Sequence, residues 1–307
     1  MKYHFFLLTL TIIVLSNCQK KAASQETVIS YDRIEFLRKK LKEPSDSSII
    51  AVAHRAAWTD SIPENTLEAI QRAVDLGVDI VEIDIRLTKD KKLILWHDKG
   101  LDQDSNGSGK VSDRTWDEIK DLKIKNSKGD YTDFKIPALK EALLLMKGKV
   151  LIYLDKTLKY RELVEQLLEE TETKSQAIFY GNDPIEDSSN NRFLTDYLFI
   201  PALEEGDPDQ KVIIKNYLDK TNTTGFIIRF SSEDSPFINQ IPYIRSLGSN
   251  VWVGTMSSSQ GGGHWDSLAV LDPESHWGWH ISKGVNILCT NQAESLMKYL
   301  REKKLHK

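Results

Sequence analysis

Short apolar runs and amphipathic stretches alternate along most of this chain. Ile49 to His54 is an apolar run that ends in a histidine, and the run predicts a buried strand. Behind it, Leu67, Ile70 and Val74 recur at helical spacing, and Gly77 supplies a stop. Asn65, with Glu68 three residues later, has the spacing of a capping box and predicts the start of that helix. From Val78 to Leu87 the period changes to two. Val81, Ile83, Ile85 and Leu87 share one face, and Glu82, Asp84 and Arg86 share the other. If helices cover the apolar face, the charged face points into a polar interior. Ionisable side chains there are costly unless paired or bound to a metal.

The next link constrains topology. Only Thr88-Lys89-Asp90-Lys91 separates this strand from Lys92-Leu93-Ile94-Leu95-Trp96-His97. A parallel crossover needs roughly a dozen residues. The second run must therefore fold back antiparallel, as a hairpin arm that returns His97 opposite Glu82 and Asp84. Residues 99–136 are polar and read as an insertion with one helix, Asp113 to Leu122. Alternation then resumes with a helix over Pro137 to Lys147 and a strand over Val150 to Asp155. Helices follow at 159–171, 209–220, 236–247, 273–282 and 291–303, with a helix or irregular turn at 184–195. Strands follow at 176–181, 197–201, 224–230, 250–255 and 285–289, and 257–270 reads as a loop. Setting the arm aside, the strands number eight. The expectation is an α/β fold, a (β/α)8 TIM barrel with a hairpin arm and a small insertion after the second barrel strand. Tyr31 to Lys42 carries apolar residues at 34, 37 and 41 and predicts a helix across the barrel bottom.

Composition adds two points. The formal charge is −4 with no long basic run, which argues against nucleic acid as a partner. The N-terminus is not part of the fold. Residues 1–18 read as a signal peptide, with Lys2 followed by an apolar core from Phe5 to Leu15 that is too short to span a bilayer. Leu15-Ser16-Asn17-Cys18 has the form of a lipobox, which makes Cys18 the expected lipidation site. Residues 19–30 read as a polar tether and 31–307 as the folded domain. The expected location is exported, periplasmic or at the cell surface, with a membrane partner held through the lipid anchor. Cys289, the other cysteine, lies in an apolar run and reads as a small core residue, so no disulfide is expected.

In a βα barrel, catalytic groups sit at the C-terminal ends of strands. His54, Arg55, Glu82, Asp84 and Asp155 all fall there, and the arm adds His97. Glu82, Asp84 and Asp155 are hard oxygen donors suited to one divalent metal, Ca²⁺ or Mg²⁺, rather than to zinc. Arg55 is a planar donor suited to phosphate. Two histidines beside a bound phosphodiester can serve as general base and general acid.

The order and spacing of these groups resemble the glycerophosphodiester phosphodiesterase family. The similarity is carried by His54-Arg55, Pro63-Glu64-Asn65-Thr66, Glu82-Ile83-Asp84, Thr88-Lys89-Asp90 and His97-Asp98. It continues through Ile136 to Leu143 and the closing run Gly284 to Asn291. The resemblance implies a TIM barrel, a divalent metal held by Glu82 and Asp84, and His54 and His97 as the acid/base pair. It also implies Arg55 on the phosphate and Glu64 close to the metal. There are departures. Ala56 stands where the pattern has Gly, Asp155-Lys156 replaces a Glu-x-Lys, and the closing Thr-Asp is Thr290-Asn291. Lys156 and Trp252 are expected to contact substrate. Trp252, the run Gly261 to Asp266 and Trp277-Gly278-Trp279 imply a divergent substrate pocket. The expected reaction is metal-dependent hydrolysis of a glycerophosphodiester or related lipid headgroup. The alternatives are a sphingomyelinase-D-like or phosphoinositide-cleaving lyase on the same barrel, and a decayed, lipid-anchored binding protein.

Overall fold

A computed structural model describes residues 33–45, 48–181, 191–203, 205–206 and 209–306. Residues 1–30, where a signal peptide, lipobox and tether are expected, lie outside the described residues. Helix α1 (33–42) is followed by β1 (Ile50–Ala53), α2 (Leu67–Leu76) and β2 (Ile80–Leu87). The arm is β3 (Leu93–Leu95), and the insertion contains the short α3 (Trp116–Ile119). Then come α4 (Leu139–Met146), β4 (Leu151–Asp155), α5 (Arg161–Glu170), β5 (Ala177–Tyr180), α6 (Asn191–Asp196), β6 (Leu198–Ile200) and β7 (Ala202–Leu203). The chain finishes with α7 (Gln210–Lys220), β8 (Gly225–Ile228), α8 (Gln240–Ser246), β9 (Asn250–Gly254), α9 (Asp266–Ala269), α10 (Trp279–Ser282), β10 (Ile287–Thr290) and α11 (Ala293–Glu302). Among the described residues no helix is long and apolar enough to cross a membrane.

The strands pair in the order β6-β5-β4-β2-β1-β10-β9-β8-β7, all parallel, with β3 attached antiparallel to β2. β6 and β7 are one stretch of chain split at Pro201, which has no N–H to donate to a ladder. Its carbonyl still accepts from Ile227 N at 2.9 Å, and Phe199 bridges to Thr223, so this split strand meets β5 on one side and β8 on the other. Nine named strands thus fill the eight positions of a (β/α)8 barrel.

Alternation along each strand sorts side chains into two cores. Ala51, Val81, Ile83, Ile152, Phe179 and Val253 face the helices. Ile50, Val52, Ile80, Leu151, Tyr153, Ile178, Ile227, Trp252 and Cys289 fill the lumen. Ile34, Leu37 and Leu41 of α1 join the lumen cluster and plug its lower end, as their spacing predicted. Buried polar groups fasten this plug. Asn250 Nδ2 donates to Leu41 O at 2.6 Å, and the Asp79 carboxylate accepts from Lys40, His306 and Ala51 N at 2.9–3.0 Å.

The hairpin forms as the four-residue link requires, with Ile85 opposite Leu95 and Leu87 opposite Leu93. Other expectations are corrected. The insertion helix is shorter than Asp113 to Leu122: a 3-10 turn at Val111–Asp113 precedes α3, which starts where Thr115 and Glu118 form a capping box. The insertion has its own small core of Trp96, Leu101, Val111, Ile119, Ile124 and Ile136. Thr66, not Asn65, caps α2, accepting from Ala69 N at 3.2 Å. The expected helix 273–282 is a π turn, Glu274–Gly278, running into α10, and the expected loop at 257–270 contains α9.

Candidate active site

The carboxylate group is built by β2 and its neighbour β4. Glu82 and Asp84 share the lumen face, and Asp155 lies level with Asp84 in the parallel register. One carboxylate oxygen from each lies within 4.8 Å of the others, a hard-donor set that fits Ca²⁺ or Mg²⁺. Glu82 and Asp84 are 3% and 1% exposed, so they are carboxylates held almost without water. Burial, reinforced by repulsion from Asp84 and Asp155, pushes Glu82 well above the ordinary carboxylate range. Burial acts on Asp84 too, but Lys156 and Arg55 outweigh it and hold that carboxyl below its usual value.

Asn65 explains why Asp84 points as it does. Its Nδ2 donates to Asp84 Oδ2 at 2.9 Å, and its Oδ1 accepts from Asp84 N at 3.1 Å. Asn65 adopts φ 56°, a left-handed geometry that asparagine tolerates better than most residues. The neighbouring turn is also left-handed, with φ 54° at Arg55 and 65° at Ala56, so Ala56 bears a Cβ where the family pattern has glycine. This turn aims Arg55 N at Glu82 Oε2 (2.6 Å) and Ala56 N at Glu82 O (3.1 Å). Arg55 Nη1 donates to both Glu64 carboxylate oxygens, at 2.8 and 2.9 Å, and Nε lies 3.5 Å from Asp84. Burial alone would lower the Arg55 pKa, but Glu64 and Asp84 raise it, so the group is a fixed cation. Glu64 therefore touches Arg55 rather than the three-carboxylate group.

The two histidines have different partners. His54 Nδ1 lies 2.7 Å from Asn291 Oδ1, and burial followed by the Arg55 charge pushes its pKa down to about 4. A neutral ring donating from Nδ1 leaves Nε2 as an acceptor. His97 Nδ1 lies 2.5 Å from Asp98 Oδ1, which fixes the orientation of the ring. Arg86 fixes this end of the arm by donating Nε to the carbonyls of His97 and Asp98, each at 3.1 Å.

These groups line one cavity of about 530 Å³ at the C-terminal end of the barrel. Its wall includes Tyr153, Tyr180, Arg229, Trp252 and Gln260, with Tyr153 packed 5.1 Å from Trp252, ring centre to ring centre. A second cavity of about 280 Å³ shares Arg55, Trp58, Glu64 and His97 with it and extends under the insertion to Asp104 and Lys125. His54, Arg55, Glu64, Glu82, Asp84, His97, Asp155, Lys156 and Trp252 all line this cavity. The glycine-rich run does not. His264 stacks on Trp279 with ring centres 4.0 Å apart, and Asp266 is buried as a brace that accepts from Thr255 Oγ1 (2.6 Å), Thr290 Oγ1 (2.7 Å) and Asn291 N (2.7 Å). Lys156 makes contacts that its expected role leaves out. Its ammonium lies on Asp84 and on Asp155, the latter at 3.0 Å. Residues that orient the site and were missed in sequence are Asn291, Asp98 and Asp266. His97-Asp98 and Thr290-Asn291 were in view as motifs, but nothing in their spacing told which side chain faces which.

The chain is similar to glycerophosphodiester phosphodiesterases. A family model described as the glycerophosphoryl diester phosphodiesterase family matches residues 54–190, and a domain of unknown function matches 199–300. A glycerophosphodiester phosphodiesterase of Caldanaerobacter subterraneus is 40% identical over 101 residues, covering 33% of this chain and 41% of the relative. One from Bacillus subtilis is 33% identical over 147 residues, covering 45% of each chain. This chain thus spans less than half the length of either relative. Among solved structures, a glycerophosphoryl diester phosphodiesterase from Parabacteroides distasonis superposes with TM-score 0.72 at 23% identity, covering 89% of this chain and 92% of that one. An Oleispira antarctica phosphodiesterase, solved with the product sn-glycerol-3-phosphate, superposes with TM-score 0.64 at 19% identity, covering 82% and 96%. At these identities the structural likeness establishes the barrel fold.

Proposed function

We propose that this chain is a divalent-metal-dependent phosphodiesterase that hydrolyses a glycerophosphodiester, or a related lipid headgroup, to glycerol phosphate and an alcohol. The observation that carries the reading is the convergence of Glu82, Asp84 and Asp155 with Arg55, His54 and His97 in one cavity, on motifs that match the family. When bound, a Ca²⁺ or Mg²⁺ ion would neutralise phosphate oxygens and stabilise charge that develops on them. Arg55, already pinned by Glu64 through Nη1, holds its positive charge beside the same phosphate without having to be ordered first. His54, neutral with Nε2 as acceptor, takes a proton from the attacking water. His97, backed by Asp98, gives a proton to the departing alkoxide. Trp252 and Tyr153 wall the space for the organic substituent.

His54→Gln and His97→Gln test this directly. Each is expected to lower kcat by about 10²–10⁴-fold on a glycerophosphodiester, the usual worth of a positioned acid or base. Full turnover in either variant would refute the acid/base assignment. The N-terminal reading is part of the same proposal: Cys18 carries the lipid and anchors the exported enzyme to a membrane. Mass spectrometry of the mature N-terminus tests it, since an unmodified chain or one cleaved elsewhere refutes it.

A further inference from the structure

The carboxylate group already has a cation from within the chain. Lys156 directly follows Asp155, and its backbone is left-handed at φ 60°, an uncommon geometry for a residue with a long side chain. This turn, with Lys156 N donating to Asp155 Oδ1 at 2.8 Å, folds the side chain back over the end of β4. The ammonium then donates to Asp84 and to Asp155 Oδ2 at 3.0 Å. Asp84 and Asp155 are two of the three residues that would hold a metal. A lysine ammonium has no lone pair to give a metal, and its positive charge opposes a divalent ion on the same carboxylates. Without some cation, three carboxylates this close, two of them buried, would repel one another at high cost.

We infer that Lys156 is a built-in stand-in for the divalent ion: its ammonium occupies Asp84 and Asp155 while the metal is away and leaves them when the metal binds. The inference rests on the metal-dependent reading above. It adds that metal affinity is set by competition with a tethered cation, and that loading changes the partners of Lys156. A lysine that has left the two aspartates remains in the cavity lining, where the diester is the anion left for it to meet.

The test is calorimetric titration of CaCl₂ and MgCl₂, at fixed pH, into EDTA-dialysed wild type, Lys156→Met and Lys156→Gln. Removing the competing charge-assisted contacts is expected to tighten metal binding by about 10–100-fold in Lys156→Met. Lys156→Gln, which keeps a donor but no charge, should tighten less. The rise in Tm caused by saturating metal should be larger in both variants than in wild type. If Lys156→Met folds only with metal present while wild type folds in EDTA, that too supports the stand-in role. Equal or weaker metal binding by Lys156→Met overturns the inference and leaves the metal-dependent reading standing. Metal binding by none of the three chains overturns both.

Discussion

Asp266 is the residue whose removal most directly separates scaffold from chemistry. It is 4% exposed and ties three points together across β9 and β10: Thr255 and Thr290 donate to Oδ1 at 2.6 and 2.7 Å, and Asn291 N donates to Oδ2 at 2.7 Å. Asn291 is in turn the partner of His54. Hydrogen bonds to a charged group contribute about 1.5–3 kcal/mol each. The sum overstates the loss, because burial already works against the carboxylate and raises its pKa. Asp266→Ala is therefore expected to cost about 3–5 kcal/mol, the scale of breaking a buried charged contact. Asp266→Asn should cost far less. An amide placed with its oxygen toward Asn291 N keeps that bond and turns its NH₂ toward the two hydroxyls, which can accept. Urea unfolding of the three proteins measures the difference, and kcat on a diester substrate reports on His54. The expected order is wild type above Asp266→Asn above Asp266→Ala in both assays. Loss of less than about 1 kcal/mol in Asp266→Ala, or equal loss in the two variants, would refute the reasoning.

Asn65→Gly keeps the left-handed backbone but deletes both buried bonds to Asp84, so metal affinity by calorimetry should fall about 10–100-fold, with a loss of about 1–3 kcal/mol in unfolding free energy; unchanged affinity refutes the orienting role. His280 is fully buried against the His264 carbonyl, and desolvation pushes its pKa down to about 4. Its contribution is present above the unfolded value near pH 6.5 and is lost as pH falls towards 4, about 3 kcal/mol in all, so unfolding free energy should drop across that window and drop less in His280→Gln. Asp79→Ala removes the shared partner of Lys40, His306 and Ala51 N, and chemical denaturation should show a loss of about 3–5 kcal/mol with kcat nearly unchanged.

The barrel was legible because periodicity and link length act locally. Alternation over Val81 to Leu87 assigned the faces of β2, and four residues between two strands can only make a hairpin. The plug by α1 followed from three apolar positions, Ile34, Leu37 and Leu41. Other features depend on contacts far apart in sequence. Asn65 and Thr66 are both good caps, and what decides between them is Asp84, nineteen residues away, which takes Asn65 for itself. Asp266 lies in a segment whose composition suggested a pocket wall, and its role as a brace depends on the packing of β9 against β10. Lys156 looked like a substrate contact displaced by one position. Its left-handed backbone, which spacing does not reveal, returns the ammonium to the carboxylates.

In the proposed reaction Glu82, Asp84 and Asp155 hold a divalent ion needed for two-histidine cleavage of a glycerophosphodiester. The most direct measurement is release of glycerol phosphate by EDTA-dialysed protein, titrated with Mg²⁺ or Ca²⁺, alongside Glu82→Gln. The expected result is no turnover without metal, saturable recovery on adding it, and no recovery in Glu82→Gln. Undiminished turnover in EDTA, or full recovery by Glu82→Gln, would contradict it.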